Sequence, residues 1–308
     1  MSGHSADGSA HAYKTADAGS YDLVADQFEH YTERFSVPMA TALIDWAGIR
    51  DGLRVLDVGC GSGILTRLSA RRFSTSGEVV GIDLSDGMLA TAARLIEADG
   101  LGARATLKKG DAEKLPFGDG EFDAVVSLYA LRHFPDPAAS LREMFRVTRR
   151  GGPVAVGIGG GAPVPSWAFV GNAWREVKER VSALWSPGAL HANTFLEELV
   201  VKHGGEMAAR HGTADAVGDL AQALRQAGFR GVTLKWVGQT GLIETAEDFW
   251  NLQYTLSTRA RKAIPEMGPE RAAALRREFD ERCRAHLARG GTLVYRTGAL
   301  MARGTRPA

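Results

Sequence analysis

The 308-residue sequence predicts an α/β protein with a doubly wound, mostly parallel sheet. Three observations support this fold class. Short apolar segments alternate with longer segments of helical periodicity from residue 53 onward, which indicates successive β-α-β units. The apolar segments are nearly uninterrupted, as expected for strands that helices cover on both faces. The first of them runs directly into a glycine-rich turn, which lets a strand bend sharply into the next helix.

Composition excludes several classes of protein. Lys plus Arg (37) nearly equals Asp plus Glu (36), so the chain lacks the basic excess of a nucleic-acid-binding protein. No apolar run reaches the ~18 residues that span a bilayer, so we expect no membrane span. Cys60 and Cys283 are too few for a disulfide framework and have no metal-binding spacing. They indicate a reducing, cytoplasmic location and no bound metal.

The N-terminal part of the chain is divided into two predicted segments. Residues 1–20 are rich in Gly, Ser, Ala and Asp and have no apolar core, which predicts a disordered leader rather than a signal peptide. Residues 21–50 carry apolar side chains at helical spacing and are predicted to form a helical cap. Pro38 lies within this segment and is expected to start a new helix or to interrupt the old one.

Residues 51–158 are predicted to form a core that binds a ligand. Ser85 precedes one of its helices and is a plausible N-terminal cap. Strands are expected at 53–58, 78–83, 104–109, 122–128 and 153–158. Helices are expected at 64–73, 86–98 and 137–148.

Residues 159–212 interrupt this alternation and are predicted to be a lid or substrate insertion. Two interpretations of its aromatic side chains stay open: a helical cap with its own small core, or the lining of a substrate pocket. These side chains are Trp167, Phe169, Trp174, Trp185 and Phe195.

Residues 213–308 are predicted to complete the sheet around a helical excursion. We expect a helix over 215–227, a sixth strand over 232–237 and two helical segments over 246–262 and 270–289. A seventh strand over 292–301 is expected at the sheet edge, as an antiparallel partner of the sixth strand.

The most informative segment is L-R-V-L-D-V-G-C-G-S-G-I-L-T, residues 53–66. Gly59, Gly61 and Gly63 follow a strand and precede a helix, where a ligand can rest directly on the main chain. The spacing is GxGxG rather than the GxGxxG of dinucleotide-binding loops, and the GxxxxGK[ST] of a phosphate loop is absent. The loop therefore disfavours a nicotinamide-dependent oxidoreductase.

Two acids follow neighbouring strands of the predicted core. Asp83 ends the second strand, where a carboxylate accepts hydrogen bonds from the two hydroxyls of a ribose. A carboxylate that only caps the next helix is the alternative. Asp111 follows the third strand, where it could accept a hydrogen bond from an adenine amino group, or be an ordinary loop residue.

Several motifs in this order resemble those of the class I S-adenosylmethionine-dependent methyltransferases, and most closely the ubiquinone/menaquinone-biosynthesis type. The resemblance covers about residues 53–158, and A-L-R-Q-A-G-F at 223–229 also fits it. It implies a Rossmann-like, seven-stranded sheet with an antiparallel last strand, N-terminal helices and a helical lid. The motifs are D-V-G-C-G-S-G, G-I-D-L-S, G-D-A-E-K-L-P-F, F-D-A-V-V-S and R-H-F.

The resemblance implies a role for each matching residue in binding S-adenosylmethionine. The three loop glycines and Asp57 would hold the methionine part, with backbone of Leu128 near its amino group. Asp83 would bind the ribose. The adenine would lie among Leu84, Met88, Asp111 and Ala112, although Met88 could equally be a helix core residue.

Three further residues have open roles. His133 stands where the family often has a His pair, whose first member is here Arg132. It would act as a base toward the acceptor or close the cofactor pocket against Phe134. Cys60 lies in the glycine loop and is either a small residue under the cofactor or a nucleophile. Tyr21 is a candidate cover for the sulfonium, which an aromatic face attracts.

The predicted function is transfer of a methyl group from S-adenosylmethionine to a small, apolar or aromatic molecule, with O- or C-methylation ahead of N-methylation. The expected partners are this small-molecule acceptor and, through an apolar face of the N-terminal helices, a possible second copy of the chain. One alternative is a relative that binds the cofactor but catalyses another reaction, such as cyclisation or decarboxylation. The others are the oxidoreductase and a cofactor-binding protein that is not an enzyme.

Overall fold

The computed structural model describes Lys14 and residues 16–22, 24–159, 188–206 and 219–308. The chain divides into two compact units, which we describe separately. The first comprises Met1–Gly160, Arg210–Val237 and Ala299–Ala308. The second comprises Gly161–Ala209 and Gly238–Gly298.

The described residues contain one eight-stranded sheet in the order β3-β2-β1-β4-β5-β8-β6, with β7 paired to β8. Strands β1 to β5 are parallel to one another, and β8 is antiparallel to β5. The strands are β1 Arg54–Val58, β2 Glu78–Asp83, β3 Ala105–Lys109, β4 Ala124–Leu128, β5 Pro153–Gly159, β6 Ala189–His191, β7 Arg230–Ile243 and β8 Thr292–Thr305.

This arrangement confirms the predicted α/β class and the antiparallel last strand, but the predicted place of that strand at the sheet edge is wrong, because β8 pairs with β5, β6 and β7. The predicted count of seven strands is wrong for the described residues, because β6 adds an eighth that pairs in parallel with the start of β8. Three residues are too few to produce a recognisable alternation of apolar and polar side chains. Strand β7 is also longer than predicted.

Besides the helical residues 16–22, nine helices longer than a single turn lie in the described ranges. A short 3-10 helix at Leu131–His133 follows β4. The helices are α1 Ala25–Ala47, α2 Ile64–Ala70, α3 Asp86–Ala98, α4 Pro137–Val147, α5 Ala192–Lys202, α6 Leu220–Gln226, α7 Ala246–Leu256, α8 Thr258–Glu266 and α9 Pro269–Ala288.

Helix α1 is continuous through Pro38, so the predicted interruption is wrong. An internal proline removes one backbone hydrogen bond and costs ~3 kcal/mol. Phe35, Met39 and Leu43 lie on the buried side of the helix, at spacings of four residues, and are almost wholly inaccessible. Burial of each such side chain contributes about 1.5–3 kcal/mol, which outweighs the proline. The side chains of this apolar face are therefore buried inside the first unit.

The first unit has one hydrophobic cluster on each side of its sheet. Alternate residues of β1 belong to different clusters: Val55 packs with side chains of α1 and α2, whereas Leu56 packs with side chains of α4 and α6. Successive side chains of a strand point to opposite faces. The sheet is thus covered on both faces, which explains its uninterrupted apolar strands.

The second unit is mainly helical among its described residues. Phe195, Phe249 and Phe279 are buried together, with ring centroids of Phe195 at 6.0 and 5.1 Å from the other two. Phe195 therefore belongs to a helical core, as the first interpretation of the insertion expected. The other four aromatic residues of the insertion lie outside the described residues. The predicted helix over 246–262 is divided at Ser257, whose hydroxyl caps α8.

Candidate cofactor site

The glycine loop follows β1 at the carboxyl end of the parallel strands. Gly59, Gly61 and Gly63 have φ angles of +71°, +53° and +84°, a region that other residues adopt at a cost. The amides of Gly59 and Cys60 both donate to the carbonyl of Ile82, at 2.8 and 3.0 Å. These bonds hold the loop against the end of β2, beside Asp83.

The glycines differ in what surrounds them. A Cβ atom on Gly59 would lie 2.2 Å from Cβ of Ala130, and one on Gly63 would lie 3.0 Å from Cβ of Ala92. A Cβ on Gly61 would meet nothing within 4 Å. Packing within the chain therefore leaves no room for a Cβ atom at Gly59 and only a tight fit at Gly63. Gly61 instead faces open space, as expected where a ligand approaches the main chain.

Asp83 links the glycine loop to the start of α3. Its Oδ2 accepts a hydrogen bond from the amide of Gly61 at 2.9 Å, and its Oδ1 accepts one from the amide of Ser85 at 3.0 Å. Partial burial raises the pKa of this carboxyl, while these amide donors act in the opposite direction. Ser85 is the cap of α3, because its hydroxyl accepts from the amide of Met88 at 3.0 Å. The predicted cap is thus confirmed. Asp83 does not cap the helix and lies beside the glycine loop.

Asp57 lies beneath the loop, with 1% of its surface exposed. Its Oδ2 accepts a hydrogen bond of 2.7 Å from the hydroxyl of Thr66 on α2. Burial raises the pKa of Asp57 to about 7, and the nearby carboxylate of Asp83 adds to this effect. The carboxyl group therefore ties β1 to α2 across the loop.

This pKa leads to an expected dependence of stability on pH. A carboxyl with a raised folded-state pKa stabilises the fold below its unfolded pKa, and this contribution is lost as pH rises through the folded pKa. With an ordinary pKa of 3.8 in the unfolded chain and a pKa of about 7 in the folded one, Asp57 contributes to the free energy of unfolding in a way that depends on pH. We expect this contribution to fall by about 3 kcal/mol between pH 5 and pH 8. We expect Asp57→Asn to remove this part of the pH dependence, measured by urea unfolding at both pH values. Equal dependence in wild type, Asp57→Asn and the exposed control Asp86→Asn would contradict the assignment.

The residues predicted to hold an adenine lie along β2, α3 and the loop after β3. Met88 and Ala112 are buried, at 2% and 6% exposure. Oδ1 of Asp111 accepts from the amide of Glu113 at 2.9 Å. Its Oδ2 accepts from the ammonium of Lys14 at 2.6 Å, and Glu113 accepts from the same ammonium at 2.7 Å. An acceptor oxygen is thus present where the motif predicts one, and it already accepts a hydrogen bond from the ammonium group of Lys14.

Lys14 and residues 16–22, which we call the N-terminal segment, fold onto this site. Residues 16–22 are helical, so the predicted disorder is wrong for Lys14 and residues 16–20. Burial disfavours the charged form of Lys14, but its hydrogen bonds to Asp111 and Glu113 outweigh this and raise its pKa. Asp22 accepts from the hydroxyl of Ser85 and from the amide of Gly87. Polar contacts, which hydrophobic periodicity does not detect, hold the segment in place.

His133 lies between two residues of the N-terminal segment. Its Nε2 is 3.2 Å from the hydroxyl of Tyr21, and its Nδ1 is 3.1 Å from Oδ2 of Asp17. The rings of Tyr21 and His133 meet edge to face with centroids 5.4 Å apart. The sequence motifs indicate Tyr21 and His133 separately, but they do not indicate Lys14 or Asp17. A signal was present: Lys14, Asp17 and Tyr21 are three and four residues apart, the spacing of one helix face.

Leu128 and Tyr129 lie at the carboxyl end of β4. Leu128 is buried and pairs in register with Gly157 of β5. Tyr129 has a φ of +65°, and no other non-glycine residue in the described ranges has a positive φ. Such a conformation costs roughly 1–3 kcal/mol and persists where the surroundings impose it. The strain lies beside the candidate site, and nothing in the local sequence indicates it.

Cys60 is buried under the loop, with 5% exposure. Burial raises the pKa of its thiol well above the ordinary value, and the carboxylates of Asp83 and Asp57 act in the same direction. A nucleophilic cysteine requires the opposite shift. The geometry therefore favours a small residue under the ligand over a nucleophile.

In the part of the chain that the structure describes, no helix has the length and apolar character needed to cross a membrane. The same residues contain no group of three or more His, Cys, Asp or Glu side chains placed to hold a metal ion.

Comparison with known proteins places this geometry in a family context. Residues 55–152 match the model of a methyltransferase domain. The chain is 34% identical over 154 residues to the ubiquinone/menaquinone biosynthesis C-methyltransferase UbiE of Idiomarina loihiensis, covering 46% of this chain and 61% of that protein. It is 40% identical over 118 residues to the chloroplastic 2-phytyl-1,4-beta-naphthoquinone methyltransferase of Arabidopsis thaliana, covering 37% and 44%. The matches thus span about half the length of these relatives.

A solved structure supports the fold over a larger part of the chain. The crystal structure of a candidate methyltransferase from Bacillus halodurans C-125 covers 87% of this chain and 99% of that one, with a TM-score of 0.52 and 21% identity. At this identity the likeness concerns the fold alone. The family match identifies residues 55–152 as a methyltransferase domain.

Proposed function

We propose that the chain transfers the methyl group of S-adenosylmethionine to a small, apolar aromatic acceptor. The observation that carries this proposal is the open glycine loop: Gly61 faces free space, and Asp83 stands directly beside it. A ligand on this loop meets bare amide groups and a carboxylate that suits the hydroxyls of a ribose. Asp111 offers a second carboxylate, which can accept a hydrogen bond from the adenine amino group. For this, Lys14 must release Oδ2 of Asp111 or donate to it together with the adenine.

The remaining predicted contacts complete the proposed binding of the cofactor. Asp57 and the three loop glycines support its methionine part, together with the backbone of Leu128 and the small side chain of Cys60. Leu84, Met88 and Ala112 provide apolar surface for the adenine. Tyr21 covers the sulfonium, since its ring lies against His133 at the same end of the sheet.

The acceptor class rests on the relatives. They are named as a C-methyltransferase of ubiquinone/menaquinone biosynthesis and a 2-phytyl-1,4-beta-naphthoquinone methyltransferase, and quinones of this kind are apolar ring molecules. We infer a quinone-type or similar aromatic acceptor, methylated at carbon or oxygen. The names of the relatives favour methyl transfer over the cyclisation and decarboxylation alternatives. A cytoplasmic location stays part of the proposal, supported by the free thiols of Cys60 and Cys283, and a homodimer stays a prediction.

When bound, S-adenosylmethionine would supply a methyl group on a sulfonium: the acceptor would provide the electron pair of the new bond, the pair of the broken S–CH₃ bond would stay on sulfur, and the acceptor would lose a proton. The chain must align the acceptor and exclude water, and orientation of this kind contributes up to ~7–11 kcal/mol. We assign the departing proton to Nε2 of His133. The N-terminal segment covers the site and keeps water out.

A direct test uses methyl-labelled S-adenosylmethionine with 1,4-naphthalenediol and catechol as acceptors. Labelled product that depends on the enzyme supports the proposal, and its fragmentation in mass spectrometry distinguishes C- from O-methylation. Binding of S-adenosylhomocysteine by calorimetry, with NADH as the control, is measured on the same protein. NADH binding without binding of the sulfur ligand would favour the oxidoreductase and overturn the proposal.

His133→Gln is expected to separate the two roles considered for this residue. A general base contributes about 10²–10⁴-fold, so the variant should lose turnover by that range and keep S-adenosylhomocysteine affinity within threefold. If His133 only closes the pocket against Phe134, affinity falls instead and turnover at saturation changes little. The matched control is His30→Gln, whose side chain is exposed on α1.

A further inference from the structure

Asp17 is buried although it belongs to a segment with the composition of a disordered tail. Only 5% of its surface is exposed, and its Oδ2 lies 3.1 Å from Nδ1 of His133. The opposite ring nitrogen, Nε2, lies 3.2 Å from the hydroxyl of Tyr21. The imidazole is therefore held at both nitrogens by side chains of one segment, 112 and 116 residues away in the sequence.

The chemistry of the two partners decides where the ring proton sits. An ionised carboxylate only accepts hydrogen bonds, whereas a tyrosine hydroxyl can donate one. Asp17 therefore favours the tautomer with the proton on Nδ1. In that tautomer Nε2 keeps its lone pair and accepts from Tyr21.

We propose that Asp17 is a positioning residue that fixes His133 in the Nδ1–H tautomer, so that Nε2 is the nitrogen that takes the acceptor's proton. This inference rests on the proposed function, in which His133 is the base. Proton transfer to Nε2 yields an imidazolium whose Nδ1–H continues to donate to the Asp17 carboxylate. The bond that breaks is the acceptor's C–H or O–H bond, its electron pair stays on the methylated acceptor, and the proton goes to Nε2, where it replaces the hydrogen bond from Tyr21.

Other charged groups near His133 do not fill the same role. Lys14 is engaged by Asp111 and Glu113, and Asp22 by Ser85 and Gly87. Asp83 interacts with His133 electrostatically, and its oxygens accept from backbone amides of the loop. Among the side chains of the described residues, Asp17 is the carboxylate hydrogen-bonded to the ring.

The test measures the tautomer directly by ¹⁵N NMR of the histidine side chains at pH 9, with His133 assigned through His133→Gln. Wild type is expected to show Nδ1–H for His133, both alone and saturated with S-adenosylhomocysteine. Nε2–H in the wild-type protein would overturn the inference without any variant. In Asp17→Asn the new amide group can donate to Nδ1, so we expect the proton to move to Nε2 in a measurable fraction.

Turnover provides the second readout. We expect Asp17→Asn to lower kcat at least tenfold with KM for S-adenosylmethionine within threefold, and Asp17→Glu to restore part of the loss. The control is Asp26→Asn, which removes an exposed carboxylate that pairs with Arg94. Unchanged kcat and tautomer in Asp17→Asn would reject the inference. If Asp17→Asn shifts the tautomer but His133→Gln keeps full turnover, the base role in the proposed function fails while the positioning by Asp17 stands.

Discussion

Asp83→Ala is expected to weaken binding of S-adenosylhomocysteine at least tenfold, or ~1.4 kcal/mol. The carboxylate is the only acid in the described residues that accepts from the amide of Gly61, so its loss affects the loop as well as the ribose. A hydrogen bond to a charged group contributes about 1.5–3 kcal/mol, and two hydroxyls are available to it. Isothermal titration calorimetry measures the change.

Two further variants separate the loss of the ribose contact from damage to the fold. Asp83→Asn keeps one acceptor oxygen and the shape of the side chain, and should bind with intermediate affinity. Asp86→Ala removes an exposed acid three residues away, on the first turn of α3, where it pairs with Lys109. It should bind like wild type. Binding by Asp83→Ala within twofold of Asp86→Ala would show that Asp83 does not hold the cofactor.

The sequence predicts the parallel core well because its signals are local. Four of the five parallel strands are mostly apolar runs of five to seven residues, β3 being the exception, and glycine marks the turns after β1 and β3. The same locality explains what the sequence does not predict. The helix continues through Pro38 because the burial of its apolar face outweighs the cost of the proline. Strand β6 forms because it pairs with β8, and its own three residues do not indicate a strand.

The candidate site divides in the same way. The glycine loop and Asp83 are recognisable because they follow a strand directly. Lys14 and Asp17 are not, since their partners lie 97 to 116 residues away and their segment has the composition of a disordered tail. Prediction of disorder from composition fails where a few charged side chains find fixed partners on a folded surface.

Alanine substitutions in the glycine loop are expected to separate folding from binding. All three positions tested, Gly59, Gly61 and the distant Gly100, have positive φ, which costs a side chain roughly 1–2 kcal/mol. Only at Gly59 would the new Cβ also meet a neighbour, 2.2 Å from Ala130, which adds about 1–3 kcal/mol of overpacking. We therefore expect Gly59→Ala to lower the free energy of unfolding by ~2–5 kcal/mol, measured by urea titration.

Gly61→Ala and Gly100→Ala form the matched pair. A Cβ at either position meets nothing within 4 Å. In both variants the free energy of unfolding should therefore fall only by the ~1–2 kcal/mol that backbone strain costs. Gly100→Ala should bind S-adenosylhomocysteine like wild type, because it lies at the end of α3, away from the loop. Gly61→Ala should bind at least tenfold more weakly, since its methyl group projects into the space proposed for the cofactor. Equal binding by the two variants would mean that the open space at Gly61 is not a ligand site, and the cofactor would then have to be sought on another surface of the domain.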